Sequence, residues 1–134
     1  MKIMIRAASP DDVEAIATFQ ESMALHTEGK RLDPEAIRGG VQKVIEDPDK
    51  GRYLVVDVDG LTVGSLLLTK EWSDWRDGWF WWIQSVWIQE QHRRRGLYRA
   101  LHHEVRRQAR ETTAPEGPVI GIRLYVEREN ENAQ

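Results

Sequence analysis

Residues 79–88 constrain the fold more than any other part of the chain. Only Gln84 and Ser85 are polar in this run, which is otherwise made of aromatic and β-branched side chains. Such a composition predicts a β-strand, and apolar residues at both odd and even positions predict a central strand with a layer packed on each face. If the side chains alternate along the whole strand, one face carries Trp79, Trp81, Ile83 and Trp87, and the other carries Phe80, Trp82, Val86 and Ile88.

A basic turn follows this strand. Residues 91–98 read Gln-His-Arg-Arg-Arg-Gly-Leu-Tyr and lead into a helical apolar pattern that runs from Leu97 to about Thr112. We expect Gly96 at the bend. The first amides of a helix have no partners inside it, the peptide dipoles add positive charge, and arginines add donors. The turn therefore predicts a phosphate or pyrophosphate site, although the same pattern is typical of a solvated helix cap.

The other elements are separated by clear signals. Asp59-Gly60 predicts a hairpin turn, and the pairs Ser9-Pro10 and Asp33-Pro34 predict helix starts. The predicted strands are residues 2–6, 52–58, 61–72, 79–88 and 119–126, and the predicted helices follow Ser9, Asp33 and Gly96. The order is β-α-α-β-β-β-α-β, with a right-handed parallel crossover between the last two strands. We predict an α+β fold, an α/β/α sandwich with a mixed, mostly antiparallel central sheet.

Length and composition narrow the function classes. The 134 residues predict a single domain, residues 1–134. The absence of cysteine excludes disulfides, cysteine metal sites and a cysteine nucleophile. A formal charge of −3 and a basic cluster confined to one turn count against nucleic acid as a partner. No apolar run approaches the length of a membrane span. We expect a cytoplasmic protein with no membrane segment and no metal.

Two ordered motifs resemble those of the GNAT (Gcn5-related) N-acetyltransferase family. Residues 93–98, Arg-Arg-Arg-Gly-Leu-Tyr, resemble the family's acetyl-CoA motif Arg/Gln-x-x-Gly-x-Gly/Ala, except that Tyr98 replaces a small residue. Residues 124–130, followed by Ala133, resemble its next motif. The element order is also that of the GNAT acyl-CoA N-acyltransferase fold. Because the family continues with a helix and two strands, the resemblance implies a domain that is incomplete at its C-terminus.

The resemblance implies an activity and a cofactor. It implies direct transfer of an acetyl group from acetyl-CoA (CoA) to a primary amine of a small-molecule or peptide acceptor. The backbone of the strand end would bind the pantetheine arm, with an oxyanion donor near Val86, and the arginine turn would hold the pyrophosphate. The implied cofactor-binding residues are Val86, Trp87, Ile88, Arg93, Arg94, Arg95, Gly96, Leu97, Tyr98 and Asn130.

The general base cannot be named from the sequence, because residues 79–88 carry no carboxylate. The candidates for catalysis are Gln84, Ser85 and Glu71, and those for acceptor binding are His26, Glu28, Trp82 and Gln84. Charged residues among them are also typical of ordinary surface positions. The Gln84-Ser85 pair fits a β-bulge or a hydrogen-bonded buried pair as well as the place where the acetyl group arrives.

Other functions stay open at this point. Tryptophans beyond those the core needs could line an acceptor pocket or form a homodimer patch. One alternative to the enzyme is a catalytically inactive CoA-binding or assembly module, which fits the missing carboxylate. Another is a nucleic-acid binder that uses the arginine turn and exposed tryptophans, which the net acidity disfavours.

Overall fold

The structure, a computed structural model, describes residues 1–124. Its strands are β1 (Ile3–Ala7), β2 (Arg52–Val58), β3 (Leu61–Ser73), β4 (Gly78–Ile88) and β5 (Val119–Leu124), and its helices are α1 (Val13–Glu28), α2 (Pro34–Glu46) and α3 (Leu97–Glu111). The strands form one sheet in the order β1-β2-β3-β4-β5, in which only the β4–β5 pair is parallel. The predicted α+β class and element order are therefore confirmed. The second motif lies outside the described residues from residue 125 onward, and Asn130 lies there too.

The sheet has a hydrophobic layer on each face. On one face the buried side chains of β2, β3 and β4 pack against α3 through Leu97, Leu101 and Val105. On the other face Tyr53 and Val55 of β2 pack against Ile16 of α1 and Val41 of α2. We call these the α3 face and the α1 face of the sheet.

The start of α1 differs from the prediction. Pro10 was predicted as its first residue, but Pro10–Asp12 form a short 3-10 turn and α1 begins at Val13. The carboxylate of Asp12 reaches back to accept the Ser9 N–H at 2.8 Å and is also bound by Arg6. These bonds hold the tighter turn in place. At α2 the prediction is confirmed, because the Asp33 side chain accepts the Glu35 N–H at 3.1 Å and Pro34 follows it.

Arg6 connects the first strand to two carboxylates. Its guanidinium lies 2.8 Å from Asp12 Oδ2 and 2.9 Å from Asp57 Oδ2. The hydrogen bond from Arg6 is the main cause that lowers the pKa of Asp12. Burial raises the pKa of Asp57, but hydrogen bonds from Arg6 and Thr62 outweigh it and leave that pKa lowered. The cluster therefore joins β1, β2 and the turn before α1 through charges that favour the ionised carboxylates.

A β-bulge in β4 overturns the predicted alternation of its side chains. Leu67 pairs with Ser85 while the next residue, Leu68, pairs with Ile83, so Gln84 has no partner on β3. The extra residue inverts the alternation from that point. Ile83 and Ile88 both belong to the core on the α3 face. The prediction that Trp87 shares a face with Ile83, and that Val86 and Ile88 share the other with Phe80, was wrong.

Candidate active site

The turn between β4 and α3 has an unusual backbone. Arg94 has φ of +65° and Gly96 has φ of +78°, both in the left-handed region that favours glycine. The first backbone hydrogen bond of α3 runs from Ala100 N–H to Gly96 O at 3.0 Å. Within residues 1–124, the amides of residues 94–99 make no hydrogen bond to another protein group. These donors therefore remain available for an outside acceptor, at the positive end of a helix dipole.

Arg93 anchors this turn to the strand that precedes it. Its Nε donates to the carbonyl oxygen of Ile88 at 2.8 Å, and its Cζ lies 4.4 Å from the Trp87 ring centroid. Arg94 and Arg95 are exposed, and the contact of Arg95 is a 3.8 Å approach to Met1 Sδ. Arg93 is thus committed to positioning the turn, while the next two guanidiniums add positive charge at its surface.

The space above the turn is not filled by neighbouring side chains of the described residues. A Cβ placed on Gly96 would meet no atom within 4 Å among the described residues. Tyr98, which replaces a small residue of the motif, lies beside His102 one turn along α3, with ring centroids 6.2 Å apart. The tyrosine therefore leaves the space above Gly96 open. Unbonded amides, a helix N-terminus and arginines together match the donor set that binds a pyrophosphate.

The bulge places two polar side chains in defined contacts. Ser85 Oγ accepts from Gln20 Nε2 at 3.0 Å, and Gln84 Nε2 donates to Thr69 Oγ1 at 2.9 Å. Burial raises the pKa of Tyr53, and the nearby Gln20 side chain only partly offsets this effect. The bulge interpretation of this pair is confirmed, while a role in catalysis stays a prediction. Gln20 follows Val13, Ile16 and Ala17 at helical spacing, and an amide in this otherwise apolar stripe was the signal that the sequence offered.

The end of α1 lies over the end of β4. The His26 ring meets the Trp87 ring edge-on, with centroids 5.9 Å apart and planes at 68°. Glu28 is the last residue of α1, and its carboxylate lies 3.8 Å from Lys30 Nζ. Of these two predicted acceptor-binding residues, the structure brings His26 to the strand end, whereas Glu28 contacts the loop after α1.

Glu71 and Trp82 form a second cluster on the α1 face. Glu71 Oε1 accepts from Trp82 Nε1 at 3.1 Å and lies 3.4 Å from Arg123 Nη1. Ser85 is far from this carboxylate, because its β3 partner Leu67 stands four residues before Glu71, roughly 13 Å along a strand. The predicted catalytic candidates therefore divide into two groups that do not touch.

Two kinds of feature are absent from the described part of the chain. No helix between residues 1 and 124 is both long enough and apolar enough to cross a membrane. No group of three or more His, Cys, Asp or Glu side chains in that range is arranged to hold a metal ion.

The chain is similar to proteins of known family. It matches the Acetyltransferase (GNAT) family over residues 13–134. A possible acetyltransferase from Clostridium difficile 630 has a TM-score of 0.88 and 41% sequence identity, over 99% of this chain and 85% of that one. No curated protein matches the chain.

More distant structures share the fold alone. A ribosomal-protein-alanine N-acetyltransferase from Brucella melitensis biovar Abortus 2308 has a TM-score of 0.75 and 17% identity, over 98% of this chain and 85% of that one. An aminoglycoside N-acetyltransferase in complex with CoA has a TM-score of 0.77 and 13% identity, over 99% of this chain and 82% of that one.

Proposed function

The chain belongs to the GNAT acetyltransferase family, and from this premise we propose that it is an acetyl-CoA-dependent N-acetyltransferase that acts on a primary amine of a small-molecule or peptide acceptor. The observation that carries the proposal is the turn after β4. Its amides from residue 94 to 99 have no protein partner within residues 1–124, and the space above Gly96 is open. A diphosphate needs such a set of converging donors at a helix N-terminus.

We assign the rest of the cofactor to the strand before the turn. Residues 86–88 lie between the bulge and the turn, so an arm leaving the pyrophosphate runs back along them. When bound, acetyl-CoA supplies the thioester whose acetyl group moves to the acceptor nitrogen. We assign the backbone of Val86, Trp87 and Ile88 to the pantetheine arm and an amide near Val86 to the developing oxyanion, where a fixed donor stabilises charge best.

The α1 face suits the acceptor. A primary amine with a pKa near 10.4 is almost fully protonated at neutral pH, so it must be bound as a cation and must lose a proton before transfer. Glu71 offers a carboxylate beside the Trp82 ring, a combination that attracts a cation. Arg123 already lies 3.4 Å from that carboxylate and 5.5 Å from the Trp82 ring centroid, so a cationic acceptor group binds there by displacing this guanidinium. His26 and the Ser85–Gln20 pair lie nearer the cofactor arm. Because Glu71 lies roughly 13 Å along the strand from Ser85, we assign Glu71 and Trp82 to a part of the acceptor remote from the reacting amine. We leave the base between His26 and a water held at Ser85.

Two glycines give a matched test of the pyrophosphate turn. Gly96 and Gly60 have similar left-handed φ values, +78° and +85°, and a Cβ at either meets nothing within 4 Å. Alanine at either position therefore carries about the same backbone strain, roughly 1 to 2 kcal/mol. Only Gly96→Ala places a methyl group at the turn between β4 and α3, because Gly60 lies in the hairpin between β2 and β3. We expect Gly96→Ala to weaken acetyl-CoA binding about tenfold or more in isothermal titration, and Gly60→Ala to leave it unchanged.

The outcomes separate the possible functions. If both variants bind acetyl-CoA equally, the turn is not the pyrophosphate site. If the unchanged protein gives no heat at millimolar acetyl-CoA, the acetyltransferase proposal fails. If the unchanged protein does bind acetyl-CoA, thiol release should be measured with a panel of primary amines. Binding without thiol release on every amine favours the catalytically inactive CoA-binding module.

A further inference from the structure

A second pocket lies on the α3 face, at the opposite end of α3 from the arginine turn. Its volume is ≈ 430 Å³, within the range of small-molecule sites. Leu68 and Trp81 of the sheet line it, together with Arg52 at the start of β2 and Gln108 near the end of α3. It is separate from the candidate active site. Leu97 and Gln108 are eleven residues apart on α3, roughly 16 Å along a helix.

Arg52 is a guanidinium without a carboxylate partner in this pocket. Within residues 1–124 it makes no hydrogen bond or ion pair, and its Cζ lies 4.8 Å from the Trp81 ring centroid. Glu104 acts on it only through space, because the Glu104 carboxylate is bound by Arg107 at 2.6 and 2.7 Å. Burial lowers the pKa of Arg52, and Glu104 only partly offsets this effect. A partly desolvated charge of this kind is stabilised by an anion that binds next to it.

Trp81 supplies a second unused donor. The residue is only 5% exposed, and its Nε1 has no hydrogen-bond partner among the described residues. A buried N–H without a partner costs free energy that an acceptor would recover. Trp81 lines the pocket, but its Nε1 is covered by neighbouring atoms, so an acceptor reaches this nitrogen only after neighbouring side chains move. Arg52 is therefore the first contact for a ligand, and the indole N–H is the second.

The other charges of the pocket lining limit the ligand. Lys70 carries a positive charge there, and Glu111 and Glu116 carry negative ones. Glu111 is paired with Arg107 at 2.7 Å. Arg52 and Lys70 are matched in number by Glu111 and Glu116, so the lining has no excess of positive charge to hold a polyanion, while the unpaired Arg52 guanidinium favours a single negative charge. The apolar lining of Leu68 and the Trp81 indole suits an apolar body.

We propose that this pocket binds a small molecule with one carboxylate on an aromatic or aliphatic body, with the carboxylate on Arg52 and the Trp81 indole N–H and the body against Leu68. The proposal is independent of the acetyltransferase activity. It concerns the opposite end of α3 from the arginine turn and none of the residues assigned to acetyl-CoA or the acceptor.

Benzoate and benzyl alcohol are matched probes for the pocket, because they share a ring and differ in charge. We expect benzoate to bind with millimolar affinity and to shift one tryptophan indole N–H resonance downfield in a nitrogen-15 NMR titration. That resonance should be the one that Trp81→Phe removes. Benzyl alcohol should shift it far less. Trp75→Phe, at a residue 91% exposed, is the control that removes an indole N–H outside the pocket.

Arg52→Gln tests the charge without altering the indole. We expect it to weaken benzoate binding about tenfold or more, the cost of losing a charged hydrogen-bond donor. Arg76→Gln is the control, because Arg76 also lies over an aromatic ring, 5.8 Å from the Phe80 centroid, but outside the pocket. Equal binding of the two ring compounds, unchanged affinity in Arg52→Gln, or an unshifted Trp81 resonance at saturation would each overturn the proposal. If Trp81→Phe does not fold, the Arg52→Gln titration and the comparison of the two probes still decide.

Discussion

Gly64 tests how closely β3 and β4 must approach at the strand end that precedes the arginine turn. It is buried and pairs with Ile88. A Cβ at this position would lie 2.6 Å from the carbonyl oxygen of Trp87 and 2.6 Å from Ile88 Cδ1. The isoleucine tip can rotate away. The carbonyl oxygen is backbone and moves only if the two strands separate, so Gly64→Ala must push β4 outward.

The size of the effect follows from this geometry. Ordinary contact begins near 3.4 Å, so the added methyl group is 0.8 Å too close to the carbonyl. Overpacking of this kind costs about 1 to 3 kcal/mol, and the lower entropy of the unfolded alanine chain offsets about 0.4 to 1 kcal/mol. We expect Gly64→Ala to lower the free energy of unfolding by about 1.5 kcal/mol. The matching loss in Tm is about 4 to 8 °C for a domain of this size.

Gly40→Ala is the matched control for the glycine-to-alanine change. Gly40 lies inside α2, and a Cβ there meets nothing within 4 Å. Because alanine is the better helix former, this variant should gain about 0.5 to 1 kcal/mol. Urea unfolding followed by tryptophan fluorescence and by far-ultraviolet circular dichroism measures both variants. The two substitutions are thus predicted to have opposite signs.

The change at this strand end should also affect cofactor binding. If β4 moves outward, the backbone of residues 86–88 and the turn shift together, so acetyl-CoA binding should weaken in Gly64→Ala but not in Gly40→Ala. The reasoning is refuted if Gly64→Ala unfolds within about 0.5 kcal/mol of the unchanged protein. It is also refuted if Gly40→Ala loses as much stability.

Two further substitutions test the charged contacts. Arg6→Gln should cost about 2 to 3 kcal/mol at pH 7, less than a fully buried pair because a third of the Arg6 side chain is exposed. The lowered pKa values of Asp12 and Asp57 stabilise the fold above their ordinary range near 4 and cease to do so as the pH falls through the folded values. The difference in free energy of unfolding between Arg6→Gln and the unchanged protein, measured by urea unfolding, should therefore narrow below pH 4. A difference that stays constant with pH would contradict this account. Arg93→Lys loses the planar Nε donor to the strand and should weaken acetyl-CoA binding about threefold to tenfold in titration calorimetry. Arg95→Lys keeps its charge at an exposed site and should bind as before, whereas equal losses would mean that charge alone matters.

The order of elements could be predicted because the chain marks its own boundaries. Asp59-Gly60 specifies a tight hairpin, and the Asp33-Pro34 pair specifies a helix start, whatever the rest of the chain does. The arginine turn could be predicted in the same way, since the glycine that the bend requires and the basic residues are adjacent in sequence. Each of these signals is local, and each element appears where its signal predicts.

Two features could not be predicted from the sequence: the face of the sheet to which each β4 side chain points, and the pocket on the α3 face. Both depend on how neighbouring strands are aligned with one another. The position of the bulge is set by which β3 residues pair with Ile83 and Ser85, and nothing within residues 79–88 records that pairing. Arg52 and Trp81 lie on different strands, and their contact exists only once β2, β3 and β4 are aligned. A local pattern reveals neither feature.

At the bulge in β4 the number of residues matters more for the fold than the identity of the extra residue. The Gln84 side chain is exposed and bonded only to Thr69, so many side chains should be accommodated there. Deleting the residue is different, because each side chain between it and the end of β4 would then point to the opposite face of the sheet. Trp87 would then point into the layer beneath α3, and Ile88 would take the place beside α1. Natural variation at this position should therefore show free exchange of amino acids but very few insertions or deletions.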